Sequence, residues 1–425
     1  MNKKNKLALF GGKKTIRKNF LTYNSIGNAE LKNVTKVMKS GKLSSFLASS
    51  SQGFTGGNYV QKFEKSIKDF YKVKYAITVN SWTSGLIAAI GSLGLNPGDE
   101  IITTPFSMCA TSTSIIHWNL IPVFADINYQ TYCIDSDSIE KKITKKTKAI
   151  LLADIFGISH NVNKIKKIAK KHNLKIISDT AQAPYSFVNR KLAGTMSDIG
   201  GYSYNYHKHI HTGEGGVVVT NNKIFAQRIM NIRNHAEVTN TNKKNLSNMI
   251  GYNFRMGEIE ASIGIAQLKK LKKKVKKNQL QAKYLNNRLS KLKGLEIPKV
   301  PRGYTHSYYI YPIKIKTSSI GINRSILFKA LKAEGVQGIF EGYINLHMLP
   351  MFQKKIAYGK KGFPWKFFKN KANYKKGICP NAELLHDKEL ICFELCLFDL
   401  SVKDLDLICK AFEKTWQNIQ ILKKL

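Results

Sequence analysis

Between positions 75 and 220 the chain alternates short β-rich runs with helix-forming stretches, and that rhythm admits few folds. The strand candidates are YAITV (75–79), EIITTP (100–105), PVFADI (122–127), AILLADI (149–155), KIISDT (175–180), IGGYSYN (199–205) and GGVVVT (215–220). Helix-like stretches such as SGLIAAIGSLG and NKIKKIAKKHN lie between most of them. Strands separated by helices return in parallel, so an α/β fold is expected, with a seven-stranded, mostly parallel sheet covered by helices on both faces. The last two candidates are too close for a crossover helix, so the final strand should run antiparallel. Residues 221–292 read as mostly long helix. A second pattern starts near Tyr304: strand YYIYPIKIK, helix NRSILFKALKAEG, strand VQGIFEGY and a closing helix from about Asp404 to Ile419. The expected organisation is an N-terminal segment (1–54) packing with the small domain, a large domain (55–293) and a smaller α+β C-terminal domain (294–425).

Charge and cysteine usage narrow the partners. Lys and Arg number 69 against 27 Asp and Glu, a net charge of +42. No nucleic-acid motif accompanies this excess, which is spread along most of the chain. Its densest run, LKKLKKKVKKNQL (268–280), keeps Leu268, Leu271 and Val275 at helical spacing, so its lysines read as the solvated face of an amphipathic helix. Neither nucleic acid nor membrane is therefore expected as a partner, although a basic rim would help attract a phosphorylated substrate. No window resembles a membrane span, and the apolar run Leu7 to Phe10 is too short for a signal peptide, so a cytoplasmic protein is expected. The six cysteines form no CxxC pair and no zinc spacing. Cys392 and Cys396, in ICFELCLF, read as small buried apolar residues, and no metal is expected.

In open α/β sheets ligands bind beyond the carboxyl ends of the strands. After the first strand comes NSWTSGL, where Ser81, Trp82 and Thr83 open a helix whose free N–H groups suit an anion. Ser or Thr at a helix start is equally an ordinary cap. After the fifth strand comes SDTAQAP, with Asp179 at the strand end and Gln182 behind it. A carboxylate there suits the protonated ring nitrogen of pyridoxal phosphate (PLP), and equally an N-cap. After the sixth comes SYNYHKHIHTGEGG, which carries Ser203 and Lys208. Lysine attacks an aldehyde only when deprotonated, and nearby positive charge from His207, His209 and His211, or desolvation, would favour that state. Taken alone, any one lysine in so Lys-rich a chain is most simply a surface residue. A phosphate turn, an acid and a lysine, in that order on one parallel sheet, are together the parts of a PLP site.

The segments NSWTSGL, TPFSMCAT, PVFADI, SDTAQAPYSF, SYNYHKHIHTGEGGVVVTN, RNHAE and GYNFRMGEIEASIGIAQL resemble the DegT/StrS family of PLP-dependent sugar aminotransferases. The resemblance is strongest from about Lys32 to Leu271 and looser beyond. It implies a fold-type-I aminotransferase and a homodimer with active sites shared between subunits. It implies that Lys208 carries the cofactor, that Asp179 pairs with the ring nitrogen, and that Gln182 packs near the ring hydroxyl. Ser203, Thr83 and the backbone around Ser81 would hold the phosphate, and Asn253 would reach the phosphate of the neighbouring subunit's cofactor. The sequence departs from the family at Trp82 (usually Gly), Met108 (usually an aromatic stacked on the ring) and Asp154 (often His). Trp82 or the Met108 thioether is expected to supply part of the ring contact.

What the resemblance implies chemically is transfer of an amino group from glutamate or glutamine to a keto sugar linked to a nucleotide diphosphate, as in amino-sugar and polysaccharide biosynthesis. A keto-cyclitol acceptor is the first alternative. A PLP-dependent sugar dehydratase is another, although such relatives carry His in place of the lysine, which is present here. A basic nucleic-acid-binding regulator on the same scaffold is the non-enzymatic alternative, suggested only by the charge.

Overall fold

The computed structural model describes residues 6–48, 52–237 and 249–425. The large sheet comprises β1 (Tyr75–Val79), β2 (Glu100–Thr103), β3 (Ile121–Phe124), β4 (Thr147–Ala153), β5 (Lys175–Asp179), β8 (Ile199–Ser203) and β9 (Gly216–Thr220), with a small hairpin, β6 (Phe187–Val188) and β7 (Lys191–Leu192), between β5 and β8. The strand order is β1-β9-β8-β5-β4-β2-β3. The neighbours from β8 to β3 pair in parallel, and β9 runs antiparallel to both β1 and β8, as the short connection requires. The strands are buried almost throughout, which is what helices on both faces impose.

Those helices are α1 (Asn28–Ser40), α2 (Asn58–Tyr71), α3 (Trp82–Ser92), α4 (Ala110–His117), α5 (Ser136–Lys142), α6 (Val162–Lys171), α7 (Lys223–Arg233) and α8 (Glu258–Leu289). The stretch expected as mostly long helix resolves into α7 and α8, and its residues 238–248 lie outside those described. At 32 residues, α8 is about 48 Å long. It buries Leu268, Leu271 and Val275, as their spacing predicts. One lysine of that run departs from the solvated-face expectation: Lys274, one position before Val275, falls on the buried stripe at 2% exposure. Its ammonium lies over the Tyr23 ring, 3.5 Å from the centroid, and burial lowers its pKa to about 8.

The C-terminal sheet is four-stranded, in the order β10-β11-β13-β12, from β10 (Leu295–Glu296), β11 (Tyr311–Ile315), β12 (Ile339–Glu341) and β13 (Leu390–Phe393). Helices α9 (Arg324–Ala333) and α10 (Val402–Gln417) cover it through Leu327, Leu331, Ile408 and Phe412. Strand β13 comes from the stretch ICFELCLF, whose composition signalled burial but not its place between β11 and β12. The N-terminal segment divides between two cores. Leu7, Ile16 and Phe20 pack with the C-terminal sheet, whereas Phe46 joins α2, β9 and α8. No helix among the described residues is long and apolar enough to cross a membrane.

Candidate active site

The parallel register brings the carboxyl ends of β1, β2, β4, β5 and β8 to one edge of the sheet. There Asp154 N–H donates to the carbonyl of Asp179 at 2.9 Å, locking β4 to β5 where the strands end. A cavity opens at this edge. Of the residues singled out in the sequence, Ser81, Trp82, Thr83, Met108, Asp179, Gln182, Ser203 and Lys208 all line it. Asn253 does not. It is exposed, and its carbonyl accepts from the Asn80 amide at 3.4 Å.

Ser81 caps α3: its Oγ accepts from the Ser84 N–H at 3.1 Å. The cap leaves the first N–H groups and the positive end of the α3 dipole facing the cavity beside exposed Thr83 and half-buried Ser203. Asp179 is 8% exposed. Trp82 Nε1–H donates to its Oδ1 at 2.7 Å, the Ala181 N–H reaches the same oxygen at 3.2 Å, and Thr111 Oγ1–H donates to Oδ2 at 3.0 Å. Burial raises the Asp179 pKa, and those donors together with the charge of Lys208 pull it back. Among the described residues no cation is in ion-pair contact with this carboxylate. A buried acid with neutral donors and a nearby amine fits a ligand that brings a ring N–H⁺ of its own. With the helix start for an anionic tail, this donor set fits PLP.

The Trp82 indole lies in a slot that only glycines leave open. A Cβ on Gly201 would stand 1.9 Å from the ring, and one on Gly85 would stand 2.6 Å from it. Its polar edge is committed to Asp179, so Trp82 acts here as a buttress of the acid. Met108, 56% exposed, remains on the cavity wall. Trp82→Phe removes one donor to a buried charge and the outer indole ring that fills the glycine slot. The expected loss is at least about 1.5–3 kcal/mol of stability in urea unfolding. A loss near zero would show that the bond to Asp179 contributes nothing.

Lys208 Nζ sits over the Tyr309 ring, 4.3 Å from its centroid. Desolvation lowers the Lys208 pKa to about 8, opposed by attraction to Asp179. The histidines act otherwise than expected. Burial pushes His207 down to about 4 and His209 to about 3, and also lowers His211. They are neutral near pH 7 and bring no positive charge to the lysine, because the burial that depresses Lys208 discharges them first. His209 Nε2 is turned to the Ser307 carbonyl at 2.9 Å, leaving His207 as the one of the three that lines the cavity.

Several contacts of the site escaped the sequence reading. Gln182 is held at both ends: its Oε1 accepts from the Phe156 N–H at 2.8 Å and its Nε2 donates to Tyr343 Oη at 3.1 Å. Asp154 accepts from His160 Nδ1 at 2.6 Å and from Thr180 Oγ1 at 2.7 Å, so the acid at this position comes with its own histidine. Thr111 closes the segment TPFSMCAT, and Tyr309 and Tyr343 lie in the strand candidates YYIYPIKIK and VQGIFEGY, but nothing in those runs signals a contact with this cavity. Arg233 is fully buried and paired with Glu64 at 2.7 Å, and Arg255 donates to Asn234 at 2.8 Å.

Comparison with known proteins gives the family. The model of the DegT/DnrJ/EryC1/StrS aminotransferase family matches residues 24–392. The chain is 31% identical over 297 residues to the GDP-perosamine synthase of Vibrio cholerae, covering 70% of this chain and 80% of that protein. It is 30% identical over 333 residues to the 3-oxo-glucose-6-phosphate:glutamate aminotransferase of Bacillus subtilis, covering 77% of this chain and 71% of that protein. The structure of ntda from Bacillus subtilis, with bound cofactor PMP, aligns at a TM-score of 0.74 and 26% identity, over 95% of this chain and 87% of that one.

Proposed function

This chain belongs to the DegT/DnrJ/EryC1/StrS aminotransferase family, whose cofactor is PLP, and on that premise we propose that it moves an amino group from glutamate or glutamine to a keto sugar carried on a nucleotide diphosphate. The observation that carries the reading is a half-buried Lys208 with a lowered pKa sharing one cavity with the buried Asp179. The acceptor class is supported by the relatives that act on sugars, one named for a GDP-linked product and one for a sugar phosphate and glutamate.

In this reading Lys208 attaches the cofactor, Asp179 faces its ring nitrogen, and Gln182 packs against the ring. Ser203, Thr83 and the N–H groups after Ser81 take the phosphate. Bound there, PLP supplies a conjugated, positively charged ring that draws electron density from the reacting carbon. Asp179 keeps that charge in place, and Trp82 and Thr111 keep Asp179 ionised and aimed. Lys208 Nζ, when free, takes the proton from the donor carbon and later returns one to the acceptor carbon. Its lowered pKa leaves a usable fraction of free amine near neutrality. The homodimer is part of the proposal: exposed Asn253 would complete the phosphate site of a second copy. Sedimentation of the protein as a monomer would remove that part.

A half-reaction screen tests the function. Protein loaded with PLP should lose the cofactor's visible absorbance on adding glutamate or glutamine. One member of a panel of nucleotide-linked keto sugars, sugar-phosphate ketones and keto-cyclitols should restore it. No response to either donor would remove the aminotransferase reading, and recovery with a cyclitol alone would move the acceptor class. A pH prediction accompanies it. Since attack requires neutral Lys208, PLP capture by the apoprotein should accelerate as pH rises and level off above about pH 8, read by stopped-flow absorbance. A midpoint near 10.5, the ordinary lysine value, would mean that the attacking amine is not a desolvated one.

A further inference from the structure

A second recess lies behind Lys208, lined by Tyr206, His207, Tyr309, Ile310, Glu394 and Leu397. His207 lines both this recess and the cofactor cavity, and the Tyr309 ring that carries Lys208 Nζ at 4.3 Å forms part of its wall. The recess is therefore an extension of the reactive site. Its wall is aromatic: His207 stands 5.0 Å from Tyr206 and 6.1 Å from Tyr309, centroid to centroid. Glu394 is brought there by the turn that follows β13, where its carbonyl accepts the Leu397 N–H. Its carboxylate is half-buried, feels the charge of Lys332 from beyond ion-pair distance, and has neither a hydrogen bond nor an ion pair among the described residues. In a chain with 69 basic residues against 27 acidic ones, an acid left unpaired on a cavity wall stands out.

An anion in the recess would meet Glu394 as a like charge, so the phosphate end of a substrate belongs elsewhere. Aromatic faces beside an acceptor-only carboxylate suit a ring with apolar C–H faces and hydroxyl groups round its edge. We propose that this recess holds the sugar ring of the keto acceptor, with its C–H face against Tyr309 and His207 and its hydroxyls donating to the Glu394 carboxylate. Glu394 is then a specificity-determining residue, selecting a hydroxylated ring with no negative charge near the ketone. The inference rests on the keto-sugar reading above.

The test separates the two half-reactions in single-turnover stopped flow, using the sugar that restores absorbance in the wild-type screen. Glu394→Ala should raise the acceptor concentration needed for half-maximal recovery by about 10- to 100-fold, the range of charge-assisted hydrogen bonds. Glu394→Gln, of the same shape and able to accept from one hydroxyl, should lose less. The half-saturation for glutamate should shift far less than that for the sugar in both variants. If either folded variant takes the sugar as the wild type does, or loses donor and acceptor equally, the recess is not the acceptor site. If no sugar restores absorbance with the wild type, the inference falls together with the reading beneath it.

Discussion

Lys208→Ala should reduce transamination by at least about 1,000-fold, because one side chain performs two tasks that no neighbour can take over. It holds the cofactor covalently, and it moves the proton between carbons. The nearest polar groups are poor substitutes. His207 is pushed down to about 4, too weak a base to replace a lysine, and His209 is committed to the Ser307 carbonyl. Lys208→Arg should be just as inactive, since guanidinium keeps its proton and its planar head does not form the same bond. A small primary amine such as methylamine should restore part of the proton transfer in Lys208→Ala, since the cavity opens where the side chain ended. Single-turnover absorbance with glutamate measures both variants and the methylamine rescue. Alanine and wild type reacting at similar rates would place the base elsewhere.

Asp179→Asn carries the second large effect. The carboxylate is valuable as a charge: a neutral partner lets the ring nitrogen lose its proton, and the ring then accepts electrons poorly. The expected loss in turnover is about 100- to 1,000-fold, on the scale of removing one preorganised electrostatic group. Stability should move differently. The asparagine oxygen can still accept from Trp82 and Ala181, and its amide can donate to the Thr111 hydroxyl, so the network stays satisfied. Burial already raises the Asp179 pKa, so the carboxylate is stored at some expense in the apoprotein. The Asn variant should therefore unfold in urea within about 1 kcal/mol of the wild type, or later than it. Equal losses of stability and activity would mean that Asp179 is only a structural acid.

The large domain was legible because its information is periodic and local. Seven β-rich runs with helices between them fix a sheet, and the two-strand hairpin of IGGYSYN and GGVVVT fixes the direction of β9. Strand ends then pointed to Ser81, Asp179 and Lys208, since the chemistry of an α/β sheet gathers at one edge. Three features were not legible. The buttress of Asp179 joins Trp82 on α3 to Thr111 on α4, and only the crossing of those helices over the sheet brings them together. Lys274 looked like one more solvated lysine, because a stripe wide enough to include it is set by what packs opposite, here Tyr23. The histidines around Lys208 looked like a source of charge, and burial, which a sequence states only indirectly, makes them neutral. The C-terminal sheet was half-read, since β13 is continuous with apolar flanks and lacks an alternating pattern.

The account depends on one amine. Among the described residues two lysines are pushed down to about 8, Lys208 and Lys274, and of these only Lys208 shares a cavity with Asp179. Borohydride reduction of the PLP-loaded protein, followed by peptide mapping in a mass spectrometer, discriminates between them. A pyridoxyl group on Lys208 alone is the predicted result. The same group on Lys274 or another lysine, or none anywhere, would contradict the site described above.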